Sequence, residues 1–571
     1  MRLPVSHIFA FLTLSSAVHA QKINPYKYTI QKKAEVTHGA VVSAHPLASM
    51  TGTTILRQGG NAIDAAIATQ LALAVVYPAA GNIGGGGFMV AHLATTAKNP
   101  HPKDIAIDFR EKAPAAATRD MYLDATGNPR PGLSENGHLA AGVPGAIAGI
   151  FAEYKYASLP FEKLIQPSID LAEKGFAITA AEARSLNNNQ EFFTKFNTRP
   201  TAFVKNGKWK EGDTLIQPEL AKTLRLIRDN GAKGFYEGPT AQLIVDEMKR
   251  GNGIITLQDL KDYEAKERTA TVFPYKNYTV VTMPLPSSGG IILQQMLKMV
   301  EDKPLASYGF LSPKAVHLMT EVERLAYADR AQFLGDADFF KVPVKTLVSA
   351  DYLRKRTALI PEDKAGASTD IQAGRIEPAS EETTHFSVYD EKGNAVSITT
   401  TLNGGYGNGV SVGGAGFLLN NEMDDFSIKP GVPNMYGAVG AEANAIVPGK
   451  RMLSSMTPSI VLDKEKVYLV TGTPGGTTIT TSVFQTIVDI IDFKLSADEA
   501  VNKPKFHHQW LPDELFVEPE FPQTTREALE KMGYKIHDRG HIGRVECIQI
   551  LPGGKITAVG DKRGDDAAIG Y

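Results

Sequence analysis

The chain has 571 residues, 43% of them hydrophobic, and a formal net charge of −2. That is the composition of a large globular protein, and a near-neutral balance without a basic run gives no support for a nucleic-acid partner. The single cysteine, Cys547, excludes an intramolecular disulfide framework and a zinc site built from several thiolates.

At the N-terminus Met1-Arg2 is positively charged, Ile8 to Val18 is short and apolar, and Val18-His19-Ala20 is a small-x-small cleavage pattern. These features predict a signal peptide over 1–20 and export to a periplasm or beyond the cell. The apolar stretch falls short of the roughly 20 residues that cross a bilayer, and no later segment reaches that length.

Beyond the signal the pattern is mixed α and β, without repeats or a convincing linker, so one compact unit and two domains both stay open. A strand is expected over 40–44. Asn61 is placed to cap a helix running to about Tyr77, with Asp64 in the first turn where the helix dipole favours a carboxylate. Ala62 to Ala68 is small and apolar nearly all round, which predicts burial, and Pro78 ends the helix. The glycine-rich run Asn82 to Phe88 lacks both the Gly-Lys-Ser/Thr ending of a P-loop and the GxGxxG spacing of a dinucleotide fold. Tight backbone packing is therefore favoured over a phosphate cradle. Further helices are expected near 160–175, 240–250 and 314–334, the last with mixed charge on an outer face. Strands are expected at 88–93, 278–283, 384–402 and 466–472.

The segment around Thr383 is the most informative. Thr384 to Asp390 alternates Phe386 and Val388 with His385, Ser387 and Tyr389, as a half-buried strand does, and Asn394 to Thr401 alternates likewise. Glu391-Lys392-Gly393 fits a three-residue hairpin loop with glycine in the left-handed position. A hairpin centred on Lys392 pairs 386 with 398 and 388 with 396, apolar on apolar. The same register sets Thr401 opposite Thr383, where facing Cβ atoms stand about 4.5–5.5 Å apart. A threonine hydroxyl is a poor nucleophile unless a base adjoins it, and a chain cut before Thr383 supplies one as the free α-amine. That amine titrates near 7.7–8, against about 10.4 for lysine. The plainer alternative is an ordinary hairpin whose threonines simply favour strands.

Polar groups are dense in the second half. Pro474-Gly475-Gly476 ends an apolar run and leads into a helix, which suits either two N–H donors for an oxyanion or a tight turn. Asn403, the cluster Asn420-Asn421-Glu422-Met423-Asp424-Asp425, and Ser454-Ser455 offer acidic oxygens for an ammonium and hydroxyls for a carboxylate. An α-amino-acid head group needs that pairing. A calcium site without EF-hand spacing and a solvated turn are the alternatives for the acidic cluster.

The chain resembles the γ-glutamyltranspeptidases, a family of N-terminal-nucleophile hydrolases. The resemblance runs from about Gly39 to Tyr571 and rests on motifs in order: Gly59 to Ala66, Gly81 to Phe88, Asp108-Phe109-Arg110-Glu111, and Thr383-Thr384-His385-Phe386-Ser387. It continues through Leu419 to Phe426, Leu453-Ser454-Ser455-Met456 and Gly472-Thr473-Pro474-Gly475-Gly476. It implies an α/β fold, the four-layer αββα sandwich of those hydrolases, built from two subunits cut from one precursor. The cut falls between Glu382 and Thr383, giving a large subunit 21–382 and a small one 383–571 that interleave. By the same resemblance Thr383 is the nucleophile, Thr401 hydrogen-bonds its hydroxyl, and the N–H groups of Gly475 and Gly476 form the oxyanion hole. Arg110, with Ser454 and Ser455, binds the α-carboxylate of a γ-glutamyl group, while Asn403, Glu422 and Asp425 hold its α-amine. Gly431 to Tyr436 resembles a lid with Tyr436 as its gate. The implied substrates are glutathione and other γ-glutamyl compounds, the acceptors water, amino acids or dipeptides, and no metal or organic cofactor is implied. Two readings compete: a glutaryl or cephalosporin acylase of the same fold, and an exported binding protein that never cuts itself.

Overall fold

The computed structural model describes residues 23–95, 101–370 and 383–571. The expected signal peptide and Glu382 thus lie outside the described residues. Two seven-stranded sheets form the centre. In the first the order is Ala567–Gly570, Ala40–Ser43, Thr384–Tyr389, Ala395–Thr401, Gly86–Leu93, Lys103–Asp108 and Lys266–Arg268. In the second it is Lys33–Val36, Ile556–Val559, Glu546–Ile550, Lys466–Gly472, Ser459–Asp463, Tyr278–Thr282 and Thr271–Tyr275. Each sheet mixes strands from before and after residue 383.

The sheets pack face to face. Val42, Phe88 and Val90 of the first share a core with Val281, Ile460, Val470 and Ile548 of the second. Helices cover both outer faces through two larger apolar cores, one joined by Ala62–Val76 and Phe161–Lys174, the other by Gly289–Val300, Pro313–Phe333 and Thr478–Ile491. The result is the expected αββα sandwich, a single unit in which apolar burial on three levels supplies the main driving force.

Most predicted elements lie where their sequence signals put them. Ala62–Val76 is buried along its whole length and starts in a capping box. Asp64 N–H donates to Asn61 Oδ1 at 2.9 Å, and Asn61 N–H donates to Asp64 Oδ2 at 2.8 Å. The hairpin register is as read, Phe386 opposite Ile398 and Val388 opposite Val396, with Gly393 at φ 88°.

Two expectations need correction. The hairpin strands are buried on both faces rather than one, because the polar side of the alternation lies against the second sheet. There the hydroxyls find partners: Ser397 Oγ donates to the Thr471 carbonyl at 3.1 Å, and Ser387 Oγ to the Glu546 carbonyl at 3.2 Å. The helix Pro313–Phe333 has no charged outer face, since every residue from Ala315 to Ala331 is buried. Its charges are neutralised or hydrogen-bonded inside, as Arg324 is by Glu321 at 3.2 Å and by Asp513. Among the described residues no helix is long and apolar enough to cross a membrane.

Candidate functional site

The antiparallel registers bring the functional segments to one end of the molecule. Thr400 and Thr401 pair with Gly87 and Gly86, and Phe88 pairs with Asp108. Thr383, Asn403 and Arg110 therefore emerge at the same end of the first sheet. In the second sheet Ser459 pairs with both Thr471 and Thr282. That pairing brings Ser454-Ser455, Pro474 to Gly476 and the 287–288 turn together. The glycine run packs tightly against this end: a Cβ on Gly85 would stand 2.0 Å from the Thr401 carbonyl oxygen. Backbone packing, not a phosphate cradle, explains those glycines.

A cavity of about 20 Å³ lies between the two ends, room for roughly one water. Thr383, Thr401, Asn403 and Arg110 from the first sheet's end and Ser454, Ser455 and Gly476 from the second's line it, together with Asp425 and Tyr436. Two expected residues do not reach it. Glu422 is fully buried behind Arg110, and Gly475 stands one residue back from the wall.

The nucleophile side is held by short backbone links. The Thr401 hydroxyl accepts the N–H of Asn403 at 2.7 Å. It is not hydrogen-bonded to the Thr383 hydroxyl among the described residues. Asn403 takes φ 74°, a left-handed conformation asparagine tolerates, and its carbonyl accepts the Tyr436 hydroxyl at 2.5 Å. Gly475 and Gly476, at φ 134° and 50°, make the turn between Gly472 and the helix Thr478–Ile491. Their carbonyls accept from Thr478 and Ile479, whereas among the described residues neither of their N–H groups donates. His385, two residues along the strand, is bonded to Thr399 Oγ1 at 2.9 Å. Burial pushes its pKa down to about 3, so it is a neutral structural imidazole.

The opposite side is ionic. Arg110 Nη1 lies 2.5 Å from Glu422 Oε2, and Nη2 donates to Asp425. Burial opposes the Arg110 charge, but Glu422, Asp425 and Glu111 together hold its pKa above the ordinary value. Burial raises both Glu422 and Asp425 above the usual carboxylate range, against the pull of Arg110. Asn434 Nδ2 donates to Asp425 Oδ1 at 2.8 Å. Asp424 turns away, accepting from Ser134 at 2.5 Å and from the Met435 N–H at 2.8 Å. The acidic cluster thus does not converge as a calcium shell would, and it is no solvated turn. Sequence reasoning missed Arg330, which also lines the cavity. Charges spread over several turns of 313–333 read as a solvated face, so the sequence carries no signal that this helix is buried all round.

The sequence pattern of the family described as gamma-glutamyltranspeptidase matches residues 48–571. The chain belongs to the γ-glutamyltranspeptidase family. A glutathione hydrolase proenzyme of Escherichia coli strain K12 is 45% identical over 565 residues, which cover 97% of this chain and 96% of that protein. Among solved structures, a γ-glutamyltranspeptidase of Helicobacter pylori is 46% identical, with a TM-score of 0.57 over 60% of this chain and 97% of that one. A cephalosporin acylase of Bacillus halodurans has a TM-score of 0.82 at 26% identity, covering 96% and 99%. The fold is therefore common to transpeptidases and acylases, and the site must decide between them.

Proposed function

We propose that the protein is an exported, self-cleaving γ-glutamyltransferase and glutathione hydrolase with Thr383 as its nucleophile. One observation carries this reading: Thr383 shares a cavity with Arg110, Asp425, Ser454 and Ser455, a set that complements a carboxylate and an ammonium at once. A glutaryl acylase has no ammonium to bind and no use for Asp425 on the cavity wall or Glu422 behind Arg110.

In the precursor the Thr383 hydroxyl attacks the Glu382 carbonyl, the C–N bond breaks, and water hydrolyses the resulting ester. The pieces are 21–382 and 383–571, which stay interleaved. The freed amine of Thr383 then takes the hydroxyl proton as Oγ attacks the γ-glutamyl amide. The N–H groups of Gly475 and Gly476 hold the oxyanion; losing one such donor typically costs about 2.7–4 kcal/mol. The ammonium returns its proton to the departing amine, and water or an acceptor amine resolves the γ-glutamyl-enzyme. The cavity, about 20 Å³, must widen to take a γ-glutamyl group, and we assign that opening to Tyr436 and its loop.

The test has two arms. Mass spectrometry should find a mature N-terminus at Thr383, and γ-glutamyl p-nitroanilide should be cleaved in strong preference to glutaryl p-nitroanilide. An uncut chain would favour the binding-protein reading, and a glutaryl preference the acylase.

A further inference from the structure

The helix Pro313–Phe333 delivers two side chains to the site at i, i+3 spacing. Tyr327 donates its hydroxyl to the Thr477 carbonyl, beside the Gly-Gly turn. Arg330 reaches the other side, where its Nε donates to Ser288 Oγ and its Nη2 to Ser455 Oγ, each at 3.1 Å. It is buried, and among the described residues it has no carboxylate within ion-pair distance, whereas Arg110 has Glu422 and Asp425. A buried guanidinium stays charged, so it must act through the groups it touches.

A guanidinium only donates, which fixes the polarity of any hydroxyl it meets. Ser288 displays the consequence. It accepts from Arg330 and sends its own proton to the Ser454 carbonyl at 2.6 Å. Ser455 accepts from Arg330 in the same way, its Oγ proton has no acceptor among the described residues, and the side chain lines the cavity. Its hydroxyl is therefore left with a proton to give and a cation behind it.

We propose that Arg330 is a positioning residue for donor specificity, which locks Ser455 as a hydrogen-bond donor toward the α-carboxylate of the γ-glutamyl group. The inference rests on the functional reading above and adds a residue to it. Arg330 also pins the 287–288 turn to the 454–455 segment through Ser288, so the donor is held rigidly.

The test uses the processed enzyme and two donors, γ-glutamyl p-nitroanilide and 4-aminobutanoyl p-nitroanilide, which keeps the amine but lacks the α-carboxylate. Arg330→Met should raise KM for the first about 10- to 100-fold, the span of a hydrogen bond to a charged group. Its kcat, and kcat/KM for the second donor, should stay near those of the unsubstituted enzyme. Arg330→Lys keeps the charge without the two-pronged fork and should fall between; it carries the test if the Met variant does not fold. Adding Ser455→Ala to Arg330→Met should do no more than Ser455→Ala alone. Equal losses on both donors, or penalties that multiply in the double variant, would overturn the proposal. An unsubstituted enzyme that leaves γ-glutamyl p-nitroanilide intact would instead sink the functional reading, and this inference with it.

Discussion

The hairpin that carries Thr383 and the shell around Arg110 face each other across one cavity, yet they are built by opposite means. The hairpin is local: three loop residues set its register, and Asp390 ties that loop to the buried helix by accepting the Ala62 N–H at 2.9 Å. The shell is assembled from distant segments, Asp425 lying 315 positions after the Arg110 it binds. A nucleophile needs a fixed backbone, because its attack geometry tolerates little error. A recognition shell needs charge, and its ion pair can open when a zwitterion offers better partners. The difference teaches that the two sides should fail separately.

Thr383→Ala is the sharpest way to break that separation. Both self-cleavage and turnover should vanish, leaving one uncut chain on a denaturing gel; two subunits would remove Thr383 from its role. Arg110→Ala should instead leave self-cleavage complete while raising KM for γ-glutamyl p-nitroanilide by about 100-fold, as loss of charge-assisted bonds implies. A normal KM would take Arg110 out of the site. If that variant also stayed uncut, the two sides would not be independent.

The same contrast explains what was legible in the sequence. The hairpin, its glycine loop and its register follow from a period-two pattern and one turn, both local. The capped helix at Asn61 is equally local. Asp425 and Ser455 stand out by their chemistry as partners for an α-amino-acid head group, but Arg110 joins them only by resemblance, because nothing in the spacing of the three announces that they meet. Arg330 escaped even that. On a helix with charges in most turns, an amphipathic reading sends them to solvent, and only the second layer of helices over the second sheet shows that none exists to face.

A smaller effect probes how far the nucleophile side depends on backbone contact. Gly85→Ala would thrust a Cβ into the Thr401 carbonyl oxygen, 2.0 Å away, and overpacking of this kind costs about 1–3 kcal/mol. We expect a lower Tm and slower self-cleavage, followed as the uncut fraction over time, with KM of the finally cut enzyme unchanged. A raised KM with normal cleavage would assign the glycine run to the recognition side.

The smallest effect on chemistry should come from Glu153, which separates stability from both sides of the site. It closes the helix Ala146–Glu153, is fully buried, and among the described residues neither carboxyl oxygen has a hydrogen-bond partner. Burial pushes its pKa from 4.5 up to about 8. The folded state therefore holds a proton that the unfolded chain releases between those two values. Where the native state binds the extra proton, stability falls as pH rises. The loss begins near pH 4.5, is complete above about pH 8, and amounts to something on the order of 5 kcal/mol at most, at about 1.36 kcal/mol per pH unit. Glu153→Gln keeps the shape and removes the titration. Its Tm should match the unsubstituted protein near pH 5 and exceed it at pH 8, with self-cleavage and KM unchanged at both. Parallel Tm profiles would mean that this carboxyl is solvated in solution, and its burial would lose its place in the stability argument.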